Sequence, residues 1–364
     1  MPTHNPDLMR SILQRIATGP ELSKDISREE AEAGMRLILD GKVDPVQAGI
    51  FLIALRMKRE TDEENLGILD AILDATGRVT APAEEVVDIV DPYNGYNRTL
   101  PAAPFLPAVL SACGVATLSQ GVERMGPKFG VTHKQILRAA GADVDLSTQQ
   151  AADRLGKPAC GWSYVDQKAF CPKLYALEPL RTLIVKRPAI TTIEVLTGPI
   201  CGQKKTHLVT GYVHKPYPRV YSMLARHTGF DSALFIRGVE GGVIPSLRQT
   251  GKVVHYHDKG EEQSTPLEPS ELGIEQTVRA VSLPEEFVEK TDSAIIVDTE
   301  NAAKAAAKVG LAALEAQPGP IRDGLVYAGA ICLWHLGRQN NLSDAATAVR
   351  KVLDNGEALS RFKE

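Results

Sequence analysis

The sequence predicts an α/β protein in which a small helical N-terminal domain precedes a larger domain built on a mainly parallel sheet. Helix-start signals recur through the first 80 residues, a strand–helix–strand pattern follows from residue 86, and Ala-rich helical segments fill the last third. A hydrophobic content of 43% with 24% charged residues is ordinary for a globular protein. We expect the helical domain to span residues 1–79, completed by residues 171–188, and the α/β domain to span residues 80–364.

The N-terminal helices begin at capping residues. Ser27 and Glu30 have the spacing of a capping box, and Thr61 and Glu64 repeat it. Helices joined by loops this short pack as antiparallel neighbours. The run at residues 49–55 is apolar nearly all round, so it forms either part of the core or a subunit interface.

The pattern changes to α/β after residue 84. Residues 86–90 form a predicted strand, residues 105–113 an apolar helix and residues 115–118 a second strand, which together make a right-handed βαβ unit. Asp298 and Ser343 are expected to cap C-terminal helices. The further predicted strands are 190–196, 207–212 and 233–236, and the further predicted helices are 172–186, 219–228, 300–316, 321–337 and 343–355.

Basic residues are concentrated in one stretch of an acidic chain. The formal net charge is −4, yet residues 168–252 contain 13 Lys and Arg against 4 Asp and Glu. Such a local positive field suits an anionic ligand in a cleft, and a solvated surface with scattered cations explains the count equally well. The N-terminus does not resemble a signal peptide, and no apolar run has membrane-spanning length. We therefore expect a cytoplasmic protein without a membrane partner.

Two loops that contain glycines and cations follow adjacent strand ends, where open α/β sheets bind ligands. The first covers residues 91–99 and the second residues 119–130. Glycine backbones, Asn amides and Arg or Lys side chains can hold an anion, although tight turns have a similar composition. The candidate ligand- or phosphate-binding residues are Tyr93, Asn94, Gly95, Asn97, Arg98, Thr99, Gly121, Lys128 and Gly130.

The chain resembles the anthranilate phosphoribosyltransferase family nearly end to end. The resemblance is carried by Ser27-Arg-Glu-Glu, by Leu-Ile-Ala-Leu-Arg-Met-Lys at residues 52–58, and by Pro-Gly-Pro-Ile-Arg-Asp at residues 318–323. It implies a nucleoside phosphorylase/phosphoribosyltransferase-like fold and a homodimer formed through the helical domain. It also implies an anionic partner, phosphoribosyl diphosphate or a nucleotide-like molecule. Arg181 stands at the position of the family's substrate-binding Arg.

The motifs that bind diphosphate and magnesium in that family are replaced here. Gly-Thr-Gly-Gly-Asp falls on Asp-Pro-Tyr-Asn-Gly at residues 91–95, and Asn-x-Ser-Thr falls on residues 101–104, whose two prolines lack N–H donors. The magnesium-binding Asp-Glu pair falls on Val243 and Ile244, with Glu240 the only nearby carboxylate, so at most a weak magnesium dependence is expected. Tyr-Asn-Gly at residues 93–95 resembles a second type of the family, one branch of which is associated with nucleic-acid binding.

Three further residues complete the candidate site, and no catalytic residue is assigned. Arg181, Lys168 and His214 are predicted to bind substrate, His214 because it follows a strand end. His255 and His257 bracket Tyr256 on one face of a strand, but two histidines without a third ligand do not predict a metal site.

Three functions remain open from the sequence. The leading interpretation is a ligand-binding protein that holds a phosphorylated or anionic molecule between its domains, with phosphoribosyl or glycosyl transfer to an altered acceptor if it is an enzyme. The alternatives are a non-catalytic nucleic-acid-binding protein that uses the basic stretch, and an ordinary anthranilate phosphoribosyltransferase of tryptophan biosynthesis.

Overall fold

The computed structural model describes residues 6–19, 21–292 and 294–364. The helices are α1 (Pro6–Ile16), α2 (Arg28–Leu39), α3 (Pro45–Lys58), α4 (Asp62–Ala75), α5 (Leu106–Ala112), α6 (His133–Ala139), α7 (Thr148–Leu155), α8 (Gln167–Phe170), α9 (Pro172–Tyr175), α10 (Glu178–Ile184), α11 (Ile190–Ile193), α12 (Tyr217–Thr228), α13 (Thr299–Leu314), α14 (Pro320–His335), α15 (Leu342–Asp354) and α16 (Glu357–Lys363). The strands are β1 (Val79–Thr80), β2 (Glu85–Val90), β3 (Thr117–Gly121), β4 (Trp162–Asp166), β5 (Ile200–Cys201), β6 (Lys205–Gly211), β7 (Ser232–Ile236), β8 (Gly251–Tyr256), β9 (Gln263–Leu267), β10 (Val288–Lys290) and β11 (Ile295–Val297).

The N-terminal helices start where the capping residues predict. The hydroxyls of Ser27 and Thr61 each accept a hydrogen bond from the backbone N–H of the glutamate three residues later. The side chain of that glutamate accepts a hydrogen bond from the backbone N–H of the capping residue. This exchange satisfies donors that a helix start leaves unpaired. Helix α4 is packed against α2, α9 and α11, and α10 packs on α3. We call α1–α4 together with α9–α11 the helical bundle.

The central sheet of the described chain has seven strands in the order β4-β3-β2-β6-β7-β8-β9. Pairing is parallel from β4 to β7, and β8 and β9 add antiparallel strands at one side. The predicted βαβ unit is confirmed as β2–α5–β3. In the parallel part, Val90 is opposite both Gln120 and Thr210, so the loops after these strands emerge at one edge.

The two faces of the sheet bury different cores. Along β2, Val87 and Ile89 face a core that includes residues of α5, α13, α14 and α15. Val86 and Val90 face the other core, which includes the helical bundle and α12. This arrangement of a helical bundle and a mostly parallel sheet confirms the predicted fold class. No helix among the described residues is long and apolar enough to cross a membrane.

Two local predictions were wrong. Residues 190–196 form helix α11 and a 3-10 turn rather than a strand, because tertiary contacts override the β-branched composition. The Arg56 guanidinium donates to the carbonyls of Pro188 and Ala189 just before that helix, at 3.3 and 3.2 Å. The cap of α15 is Asn341 rather than Ser343, since its side-chain oxygen accepts the N–H of Asp344 at 2.8 Å. Asp298 caps α13 as predicted.

Candidate functional site

The loop after β2 is anchored by its first residue. Asp91 is buried, and its Oδ1 accepts the N–H of Val243 at 2.9 Å. Its Oδ2 accepts the Tyr96 hydroxyl and lies 2.8 Å from His133 Nε2. Both carboxylate oxygens are therefore engaged within the protein, so Asp91 fixes the loop rather than presenting a free ligand group.

The glycines of the two predicted loops pack against each other. The N–H of Gly130 donates to the carbonyl of Asn94 at 2.9 Å, and Tyr96 and Val131 exchange two hydrogen bonds of 2.9 and 2.8 Å. Gly95 has φ of 71°, and a β-carbon there would overlap the carbonyl oxygen of Gly130. Glycine is required at position 95 for this close approach of two backbones.

Four of the predicted residues converge on a single carboxylate. Glu240 accepts hydrogen bonds from the backbone N–H groups of Asn97 at 3.2 Å and Arg98 at 3.1 Å. It also accepts from the Thr99 hydroxyl at 2.9 Å and pairs with the Lys128 amine. Two backbone donors, one hydroxyl and one ammonium group form a set typical of anion-binding sites. We call these four donors the anion cradle.

Glu240 reaches the cradle from the turn after β7. It has φ of 54°, an unusual value for a residue with a side chain, in a 3-10 turn between glycines. Burial lowers the pKa of the Lys128 amine, and the neighbouring Glu240 carboxylate opposes that shift. The cradle is therefore a partly buried site in which a negative charge compensates a desolvated ammonium group.

A cavity of about 300 Å³ lies beside the cradle, between the helical bundle and the sheet edge. Three predicted residues, Tyr93, Asn94 and His214, line this cavity. Several other lining residues were not predicted from the sequence. The sequence features that pointed towards them were the basic stretch and the motif at residues 52–58. The missed lining residues include Arg56, Arg187, Tyr212, Tyr217 and Tyr221.

A larger open groove of about 1050 Å³ adjoins the cavity and shares Glu240 with it. Among the described residues of its lining, Glu240 is the only one with a carboxylate, and it is already paired with Lys128. In the described part of the chain, none of the basic side chains of this groove forms an ion pair with a carboxylate. We call it the basic groove. Its lining cations are Arg98, Arg237, Arg248, Lys252 and Arg279.

Most other cations of the basic stretch are neutralised locally. Lys204 and Lys205 pair with Glu84 and Asp258, and Arg219 forms two contacts of 2.8 Å with Asp62. These acidic partners come from outside the stretch, so sequence counting overstated the local field. Within the basic stretch, Arg237, Arg248 and Lys252 of the basic groove and Arg187 of the cavity form no ion pair with a carboxylate of the described residues.

Three predicted residues lie outside this arrangement. Arg181 is 1% exposed, and its guanidinium forms two contacts of 2.6 and 2.7 Å with the carboxylate of Glu194. The Lys168 amine lies 6.0 Å from the ring centre of Tyr175, and Gly121 packs under Tyr164. None of the three lines the cavity, and a guanidinium already paired in the interior is not available to a ligand.

The residues around the cradle do not suit magnesium. Magnesium needs several oxygen ligands in near-octahedral geometry. Asp91 and Glu240 are carboxylates that contact the loop at residues 91–99, and both are occupied by donors of the protein itself. Val243 and Ile244 stand where the resemblance would put the metal-binding pair. Neither of these two carboxylates is therefore free to coordinate the ion.

Two family models match the chain. Residues 10–76 match the helical bundle domain of a glycosyl transferase family, and residues 93–359 match the a/b domain of a glycosyl transferase family. An uncharacterized protein of Aquifex aeolicus is 31% identical over 271 residues, which cover 74% of this chain and 79% of that protein. The anthranilate phosphoribosyltransferase of Rhodopseudomonas palustris is 24% identical over 98% of this chain and 96% of its own length.

Solved structures share the fold. Anthranilate phosphoribosyltransferase from Saccharomyces cerevisiae, in complex with PRPP and Mg, superposes with a TM-score of 0.75 at 16% sequence identity. The match covers 99% of this chain and 97% of that one. At this level of identity the likeness extends to the architecture, while the local chemistry has to be argued from this chain's own residues.

Proposed function

The chain belongs to the glycosyl transferase family that includes the anthranilate phosphoribosyltransferases, and we propose that it binds a phosphorylated or otherwise anionic ligand between its helical bundle and its sheet. The observation that carries the proposal is the anion cradle. Its four donors already hold one internal anion, the Glu240 carboxylate. A phosphate group offers oxygen acceptors of the same kind with more negative charge, so it can replace that carboxylate.

The adjoining cavity supports a ligand that also has an uncharged planar part. Its wall contains Tyr93, Tyr212 and Tyr217, and the cation Arg187 lies at the same cavity. Arg56 also lines it, but its guanidinium already pairs with Glu60 at 3.1 Å. Aromatic faces favour planar groups, while guanidinium groups favour carboxylate or phosphate. A nucleotide or a phosphoribosyl compound combines these features. The proposal concerns binding, and the ordinary magnesium-dependent transfer is not part of it.

Calorimetric titration of the full-length chain tests this proposal. We expect saturable binding of phosphoribosyl diphosphate, pyrophosphate or AMP without added magnesium, and a loss of about tenfold or more in affinity for Lys128→Met. Lys308 is an exposed lysine on α13, so Lys308→Met is the matched control. Absence of binding to all three probes, or equal binding by Lys128→Met, would overturn the proposal. Magnesium-dependent turnover of anthranilate would instead identify the family's ordinary reaction.

A second candidate function, nucleic-acid binding, is favoured by the basic groove. Its five cations, which have no carboxylate partner among the described residues, line an open surface rather than an enclosed cavity. Phosphate backbones bind such surfaces mainly through counterion release, without requiring a base-specific pocket. The groove adjoins the anion cradle through Arg98 and Thr99, so a strand in the groove could place one phosphate at the cradle.

Fluorescence anisotropy with labelled single-stranded DNA and RNA tests this second function. If the groove cations contact phosphates, affinity falls steeply with salt, with a log–log slope of about −3 for four or five contacts. Arg248→Ala with Arg279→Ala should weaken binding and flatten the slope, whereas Lys351→Ala on the outer face of α15 should leave both unchanged. A flat salt response, or unaltered binding by the double variant, would exclude the groove as a nucleic-acid site.

We also propose a homodimer formed through the helical bundle. Val46, Ile50 and Met57 lie on one face of α3 and are 67, 38 and 74% exposed. Leu183 and Val185, 80 and 64% exposed, lie at the end of α10, which packs on α3. Large exposed apolar side chains grouped on neighbouring helices are typical of interaction surfaces. Light scattering after size exclusion should give twice the chain mass for the parent and the single-chain mass for Ile50→Glu, and a monomeric parent would contradict the proposal.

A further inference from the structure

A cluster of three histidines lies at the opposite edge of the sheet from the anion cradle. His255 is on β8, His257 follows the end of β8, and His335 is the last residue of α14. Strand β8 runs antiparallel to β7, and Tyr256 is opposite Ala233 near the start of β7. The cluster therefore lies at the end of the sheet where the parallel strands begin, away from both the cavity and the basic groove.

The three rings are close enough to share one ion. Each imidazole has a nitrogen within 4.8 Å of a nitrogen of the other two. The ring centres of His257 and His335 are 4.4 Å apart, and His255 lies 5.4 and 5.6 Å from them. Zinc–nitrogen bonds of about 2.0 Å in a tetrahedron place ligand atoms about 3.3 Å apart, so small side-chain rotations close the site.

Hydrogen bonds leave one nitrogen available on each buried ring. His255 Nε2 lies 3.0 Å from the Thr265 hydroxyl, and His335 Nε2 lies 2.9 Å from the Ser232 hydroxyl. Both rings are only 3% exposed, and within the described chain the Nδ1 atom of each is buried without a hydrogen-bond partner. With the proton on Nε2, each Nδ1 has a free lone pair. Metal-binding histidines have this pattern, in which an outer partner fixes the nitrogen that does not bind the metal.

We propose that His255, His257 and His335 form a binding site for a divalent transition metal, with zinc as the expected ion. A buried Nδ1 without a partner is unfavourable, and metal coordination would satisfy both of them. Three neutral imidazoles suit zinc, copper or nickel rather than magnesium or calcium, which prefer oxygen. Burial lowers the pKa of all three rings, which favours the neutral form that binds metals.

The third ligand explains why the sequence did not predict this site. His255 and His257 are two residues apart, whereas His335 comes from a helix 78 residues further along the chain than His257. Only the packing of α14 beside β8 brings it to the pair. A metal here would tie that helix to the sheet, and the exposure of His257 leaves the fourth coordination position accessible to water. The expected role is structural stabilisation.

Zinc titration of the full-length, untagged chain after chelator treatment tests the proposal. We expect one equivalent of zinc per chain, a rise of several degrees in Tm on adding zinc, and visible d–d bands typical of tetrahedral coordination when cobalt replaces zinc. His257→Ala removes an exposed ring and should lower zinc affinity by about tenfold or more. His227→Ala, which removes a histidine outside the cluster, should bind zinc as the parent does.

His335→Gln provides a second variant and should lose the cobalt bands. If that variant fails to fold, His257→Ala decides the question, because its side chain is exposed. Absence of zinc binding by the parent at micromolar concentrations would overturn the proposal. Equal zinc affinity of His257→Ala and the parent would overturn it as well, and magnesium serves as the ion expected not to bind.

Discussion

The carboxylate of Glu240 accepts a hydrogen bond of 3.1 Å from the backbone N–H of Arg98, although 142 residues separate the two in the chain. This contact joins the turn after β7 to the loop after β2 across the edge of the sheet. It places a negative side chain where an anionic ligand is proposed to bind. Under the proposed function, Glu240 is therefore an internal competitor for the anion cradle, and an anionic ligand would have to displace its side chain.

Replacing Glu240 by glutamine should strengthen anion binding. The amide keeps the size of the side chain and can still accept from the loop, but it no longer competes with a charged ligand for Lys128. A charge-assisted hydrogen bond contributes about 1.5–3 kcal/mol, so affinity for pyrophosphate should rise by about tenfold or more. Calorimetry of Glu240→Gln and of the exposed control Glu275→Gln makes the comparison. Unchanged or weaker binding by Glu240→Gln would show that the carboxylate does not compete.

Loss of the Arg181 charge should destabilise the protein without a direct effect on ligand contact. Arg181 and Glu194 are each 1% exposed and face each other in the interior. Removing one partner of a buried ion pair typically costs about 3–5 kcal/mol, because the other charge stays buried and unpaired. Urea unfolding should therefore show that Arg181→Met is strongly destabilised. The double variant Arg181→Met with Glu194→Gln should recover much of the loss, and equal stability of Arg181→Met and the parent would contradict this interpretation.

Asp88 should make the folded state less stable as pH rises. Burial raises the pKa of Asp88 to about 8, while the Gln120 amide donates to it at 2.6 Å and opposes that shift. A raised folded-state pKa means that the contribution of Asp88 is fully present below pH 4 and is lost progressively as pH rises towards about 8. Asp88→Asn removes this ionisation, so its stability relative to the parent should rise by on the order of 5 kcal/mol between pH 4 and pH 8.

Unfolding in urea at several pH values tests the Asp88 prediction. The difference in stability between Asp88→Asn and the parent should grow from pH 4 to pH 8. Gln120 also accepts the Tyr93 hydroxyl at 2.5 Å, so a buried series of hydrogen bonds runs from Asp88 to the cavity wall. The anion affinity of Asp88→Asn therefore reports whether this series positions Tyr93. A difference that does not change with pH would mean that Asp88 does not titrate in this range.

Alanine at Gly95 should separate the two loops that form the cradle. The positive φ of 71° and the overlap with Gly130 both oppose a β-carbon, so we expect a loss of more than about 1 kcal/mol in stability and weaker anion binding. Gly114 has φ of 82° with open space around it, so Gly114→Ala isolates the backbone cost. If both variants lose the same stability and bind anions equally, close packing of the loops is not required for the cradle.

Local sequence signals were sufficient where the determining contacts are local. The capping boxes at Ser27 and Thr61 and the strand after residue 84 form where they were predicted, because their partners lie within a few residues. The prediction failed at residues 190–196, where Arg56 and the 181–194 ion pair hold a helix in place of a strand. The Arg56 contacts span more than 130 residues, so no local pattern encodes them.

The sequence by itself determined the fold class and placed the candidate anion-binding loops at the ends of adjacent parallel strands, because periodicity and turn residues act over short distances. Only the tertiary structure decided which side chains meet. It brought Glu240 to the loop at residues 97–99, paired Arg181 with Glu194, and placed His335 beside His255. Charges and lone pairs act over a few ångströms in space regardless of their separation in sequence, so their partners depend on the packing of the whole chain.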